Sequence, residues 1–204
     1  MKKFILVTLL ILLVTLSSCS WTGSSTAQFC EERESQKTKD MCFKELGIIQ
    51  KDLKFCDQVQ DSDSKYYCYE KVAEATNDVE LCYDIEDEYW SSNCFKYFAA
   101  AEKNVLFCIK ITKPYIQENC FEEVAYLTNN ADLCQSLSDE ANQLKCIVKI
   151  AKDIPDYNIC YKIEDLVYQQ SCIRSVALRA DDPEICKKIS FPSIKENCLS
   201  KISS

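Results

Sequence analysis

The chain has no histidine and only two glycines in 204 residues. Without histidine there is no Ser-His or Cys-His nucleophile system. Two glycines cannot build a G-x-G-x-x-G or P-loop cradle for phosphate. The turns that β-hairpins favour, Asn-Gly above all, are missing too, which argues against a β architecture. Carboxylate clusters such as Glu86-Asp87-Glu88 and Asp181-Asp182 suggest acid catalysis at first sight. They fall at turns and caps, where acids belong in any helical protein. No enzyme and no cofactor are expected. Basic residues are also in deficit, 24 against 32 acidic, and an acidic surface repels nucleic acid.

What is present begins at the N-terminus. Met1-Lys2-Lys3 is a short positive region, followed from Phe4 to Leu16 by an apolar run broken only by Thr8 and Thr15. Leu16-Ser17-Ser18-Cys19 then resembles the lipobox of prokaryotic lipoproteins. That resemblance implies cleavage before Cys19 and a lipid on it, so the membrane is an expected partner; an ordinary signal peptide or an uncleaved anchor are the alternatives. Cys19 is also the odd one of fifteen cysteines, and the polar stretch 20–28 (SWTGSSTAQ) reads as a flexible tether. The expected organisation is a signal peptide over 1–18, a lipidated tether over 19–25 and one helical domain over 26–204. The chain after cleavage keeps 186 residues, and losing Lys2 and Lys3 moves the net charge from −8 to −10. Export places the other cysteines in an oxidising compartment, where disulfides persist. No second apolar run is long enough to cross a bilayer.

Those fourteen cysteines are Cys30, Cys42, Cys56, Cys68, Cys82, Cys94, Cys108, Cys120, Cys134, Cys146, Cys160, Cys172, Cys186 and Cys198. Their separations alternate 12 and 14 throughout, so a 26-residue unit recurs seven times. Number each unit from its first cysteine as position zero. Position −4 holds Thr26, Asp52, Asp78, Asn104, Asn130, Asp156 and Asp182, all good helix N-caps. Positions −1 and +3 are apolar apart from Arg33, which gives a short helix A of about two turns. Acidic residues and prolines at +4 to +6, including Asp61, Pro114 and Pro192, mark a second helix start. Helix B carries an apolar stripe at +12, +13 and +16, with Gly47, Ala73, Ala99, Ala125, Ala151, Ala177 and Ser203 at +17. That small residue lets a neighbour approach closely. Position +9, polar throughout (Gln117, Gln143 and Gln169 among others), breaks the stripe and is assigned to the open rim of the hairpin.

A single hairpin of this size cannot bury its own apolar face, whereas stacked hairpins can. The expected fold is therefore all-α, an α-solenoid of seven disulfide-stapled hairpins, with the first repeat as the more solvated cap. Pairing within a unit uses every cysteine, whereas pairing between units orphans Cys30 and Cys198. The A–B bend also lies about four and seven residues from its cysteines, within reach of the ~5.5 Å Cα separation a disulfide needs. Zinc favours closely spaced pairs such as C-x2-C, often with histidine, and redox catalysis favours C-x-x-C. Neither fits C-x11-C.

Repeat proteins bind through residues that vary on a constant frame. Positions +7, +11, +15 and +18 of helix B point away from the stripe and hold Tyr67, Tyr89, Tyr97, Tyr115 and Tyr126. Helix A adds Tyr83, Ile109 and Tyr161 at +1, while Trp90, Ile116, Tyr168 and Ile194 at +8 are expected in the core. The lipobox with its seven C-x11-C units resembles prokaryotic cysteine-repeat lipoproteins. The architecture is more distantly similar to Sel1-like cysteine-rich repeat proteins, whose repeats are longer. These resemblances imply a lipid-anchored, extracytoplasmic module that binds protein. A binding lipoprotein for glycan or peptide, and a purely structural envelope protein, are the alternatives.

Overall fold

The computed structural model describes residues 23–202, with the backbone alone for 23–26. The signal peptide, Cys19 and the start of the tether lie outside the described residues. Every regular element among them is helical, and each repeat is a hairpin of a short helix A and a longer helix B. The A helices are Gly23–Glu31, Leu53–Cys56, Val79–Asp84, Val105–Lys110, Ala131–Ser136, Tyr157–Lys162 and Pro183–Lys187. The B helices are Gln36–Gln50, Ser62–Thr76, Glu88–Ala101, Pro114–Thr128, Glu140–Asp153, Leu166–Ala180 and Pro192–Ile202. The fold is an all-α repeat solenoid. The chain forms two compact bodies that divide after Cys68, and each is described by itself.

Seven disulfides close the hairpins, always between cysteines twelve apart, with Cα atoms 5.4–5.7 Å from one another. By loop-closure entropy each stabilises a hairpin by about 3 kcal/mol. The caps expected at −4 form in repeats two to seven. The carboxylate or amide oxygen of Asp52, Asp78, Asn104, Asn130, Asp156 and Asp182 accepts the N–H two residues on. In the first repeat the helix runs from Gly23 through Thr26, so Thr26 is no cap and the tether expected over 20–28 is helical from Gly23. Repeats three to six show a second departure: helix A is 3-10, six residues long. Three residues per turn align position 0 with +3, which puts the cysteine and the buried Ile85, Ile111, Leu137 or Ile163 on one side.

Hairpins join through a left-handed residue at +21. Lys51, Asn77, Lys103, Asn129 and Asp181 have φ of 52–55°, and Pro155, whose ring resists positive φ, stands at 21°. The next backbone N–H then reaches back to the carbonyl at +17, as Asp52 does to Gly47 (3.0 Å) and Asn104 to Ala99 (2.9 Å), a Schellman-type bond. The small side chain at +17 faces the following staple. A Cβ on Gly47 would stand 2.8 and 2.9 Å from the sulfurs of Cys68 and Cys56, and the five alanines of this column are fully buried.

Two polar columns hold the elbows. Position +9 does not sit at an open rim. Gln117 donates to the carbonyls of Cys108 (3.2 Å) and Ile111 (3.0 Å), Gln143 to Leu137 (2.7 Å) and Gln169 to Ile163 (3.0 Å). The column folds inward because carbonyls at the end of helix A lack intrahelical partners. Position +10 reaches the next repeat. The buried Asp40 carboxylate accepts from the N–H groups of Gln60 (3.0 Å) and Asp61 (3.1 Å), and the Gln170 amide oxygen accepts from Ser190 N–H (2.6 Å). The Ser138 hydroxyl donates to the Glu118 carboxylate in the same way. Core packing follows the apolar columns, with Phe98, Val124, Ile150 and Val176 at +16 almost wholly buried.

Candidate interaction surface

The third and fourth repeats carry the densest group of exposed rings. Tyr89 and Tyr115 share position +7, and Tyr97 stands at +15; they are 46%, 56% and 40% exposed. Two of the rings are braced at one side. Tyr89 stands edge-on to Trp90 at 5.4 Å, and Tyr97 edge-on to Phe98 at 5.3 Å. Two ion pairs between these repeats fix their register. Lys113 meets Glu88 at 2.8 Å, beside Tyr115 and Tyr89, and Lys96 meets Glu123 at 3.4 Å. The hydrogen bond from Lys113 to Glu88 raises the lysine's pKa above its ordinary value. The pair stands in open solvent, so its role is to set register more than to stabilise.

Helix A extends the exposed set. Tyr83 leans edge-on to Phe95 at 4.9 Å with its other face open, and Ile109 is exposed. Leu106, two residues before Cys108 and outside the columns named above, is equally exposed. A rigid ring with a hydroxyl at its tip presents apolar area and a hydrogen-bonding group together, at little entropic cost, which suits protein contacts.

The other expected site residues divide. Tyr67, in the body that ends at Cys68, is at the margin of exposure, with the Lys44 ammonium 5.6 Å from its ring centroid. Tyr126 is half-buried. Its hydroxyl donates to Glu122 (2.6 Å), and the Lys149 ammonium lies 3.5 Å from the ring centroid. Partial burial, reinforced by the Glu122 carboxylate, pushes the phenol well above its ordinary pKa. Tyr126 is thus an inter-repeat clamp. The +8 column divides too: Ile116 is buried and Trp90 and Ile194 half-buried, but Tyr168 is exposed. Tyr161, at +1 of the same repeat, is exposed and edge-on to Tyr157.

Among the described residues, no group of acidic or cysteine side chains is placed to hold a metal ion, and no helix is long and apolar enough to cross a membrane. Comparison with protein-family models, with curated proteins and with solved structures finds no match to this chain.

Proposed function

We propose that this chain is a non-catalytic, lipid-anchored interaction module on the extracytoplasmic side of a membrane, held there through Cys19. Seven disulfides belong to an oxidising compartment, and the lipobox reading supplies the anchor. The observation that carries the reading is the contrast between frame and surface. Cysteines twelve apart repeat in every hairpin and caps in repeats two to seven, whereas Tyr89, Tyr97 and Tyr115 stand exposed in two neighbouring repeats only. Exposed aromatic side chains on a rigid scaffold suit a protein-binding face.

The test is capture from an envelope extract by the intact protein, beside a variant with Tyr89, Tyr97 and Tyr115 all changed to Ala. The expected result is a protein retained by the wild type and lost from the variant, with the seven disulfides and the melting temperature unchanged. Equal retention by both would refute the tyrosine face. Replacing Cys19 by Ser separately tests the anchor: the protein should leave the membrane fraction, and unchanged association would contradict the lipobox reading.

A further inference from the structure

A groove of about 530 Å³ runs between helix B of the fifth repeat and the elbow of the sixth. Two variable positions of the repeat hold small or apolar residues where it opens. Position +7 is Ala141, where the third and fourth repeats carry Tyr89 and Tyr115. Position +10 is Leu144, where Asp40, Glu118 and Gln170 bond to the following elbow. A leucine cannot accept that bond, and an alanine cannot fill the space. Leu144, Ile147 and Ile163 line the apolar part, and the half-exposed ring of Tyr168 stands among the lining residues.

The polar residues of the groove have one predominant sign. Glu140, Glu164 and Asp165 line it, against a single cation, Lys162, which is already engaged by Asp132. Asp165 also caps its own helix, accepting from Val167 N–H and Tyr168 N–H, so the positive end of that helix is answered from within the chain. What remains is an open groove within the size range of ligand pockets, its lining more polar than apolar, predominantly acidic and bordered by one phenol ring. A guanidinium or ammonium would find carboxylates there and a phenol ring to lie against.

We infer that this groove binds a peptide segment in which an arginine or lysine adjoins an aliphatic side chain. The inference does not depend on the tyrosine face of the third and fourth repeats. The apolar side chain enters between Leu144 and Ile163, and the cation meets Glu140, Glu164 and Asp165.

Calorimetric titration of the full-length protein with acetyl-Leu-Arg-Leu-Arg-amide tests it, beside acetyl-Leu-Glu-Leu-Glu-amide and a neutral disaccharide. The basic peptide should bind saturably and at least about tenfold more tightly than either control, a difference of about 1.4 kcal/mol or more. Binding should weaken severalfold in about 0.5 M salt. Ala141→Tyr introduces a side chain that two other repeats carry at this position, so it should fold with all seven disulfides, yet weaken binding at least about tenfold. Tyr168→Ala should weaken it as well. Changing Tyr89, Tyr97 and Tyr115 to Ala should leave it unaltered, which separates this site from the proposed protein-binding face. No saturable binding of the basic peptide, equal binding of the acidic one, tighter binding of the sugar, or an unchanged affinity in Ala141→Tyr would each overturn the inference.

Discussion

Lys103 offers a quantitative test of how one hairpin hands over to the next. With φ at 52° its backbone occupies the left-handed region, where Cβ crowds the following carbonyl at about 1–2 kcal/mol. The turn is required, because the next residue must bring its N–H to the Ala99 carbonyl, 2.9 Å away, before Asn104 caps helix A. Glycine removes the crowding but gives the unfolded chain more freedom, an offset of about 0.5–1 kcal/mol. Lys103→Gly should therefore stabilise by roughly 0.5–1 kcal/mol. Lys103→Val places a branched Cβ in the same conformation and should destabilise by about 1 kcal/mol. At roughly 2–4 °C per kcal/mol for a chain of this size, the two variants should straddle the wild type by several degrees. Scanning calorimetry on protein whose seven bridges are verified by mass reads the result. A lower melting temperature for the glycine variant, or no change for valine, would refute a left-handed junction at this position.

Other perturbations follow from the same geometry. Asp40→Ala leaves two backbone donors of the next elbow without their carboxylate and should destabilise by about 2–3 kcal/mol, with Asp40→Asn in between, measured by urea unfolding. Thirteen of the fourteen paired cysteines are almost wholly buried, whereas Cys42 is half-buried. Mild reduction of the folded protein should open Cys30–Cys42 first, and thiol alkylation read by mass spectrometry should label those two before any other. Burial raises the Glu70 carboxyl above its ordinary pKa despite Lys71 at 3.2 Å. The folded state thus holds that proton more tightly than the unfolded one. Glu70 adds stability at low pH, and this is lost as pH rises from the ordinary carboxylate value through the raised one. In Glu70→Gln that component should vanish from the stability–pH curve, so the difference between variant and wild type should change across the window; a constant difference would contradict it.

The frame was legible because its signals recur. One C-x11-C unit is ambiguous between staple and metal site, but seven in register with caps at −4 and small residues at +17 admit a single architecture. The details that escaped depend on direction and on neighbours. The +9 glutamines are polar residues on an apolar stripe, and only the bend of helix A turns them toward its last carbonyls. The left-handed column read Lys, Asn, Lys, Asn, Pro, Asp; its Asn and Asp residues were a usable sign of positive φ, hidden by lysines and a proline. Acidic and amide residues at +10 were visible as well, yet their partners lie about twenty residues on, beyond any local pattern. Tyr126 and Tyr168 exchanged roles for the same reason. The first is closed in by Lys149 from the next repeat, and the second lies beside a groove left by Ala141 and Leu144.

Site-specific photo-crosslinking in intact cells addresses the central claim, that the tyrosine face binds a protein partner. A photoreactive phenylalanine placed at Tyr89, Tyr97 or Tyr115 should form an adduct with one and the same partner protein. The same group at Glu102, on the exposed end of that helix B, should form none. Adducts to no protein from the three tyrosine positions, or the same adducts from Glu102, would contradict the account.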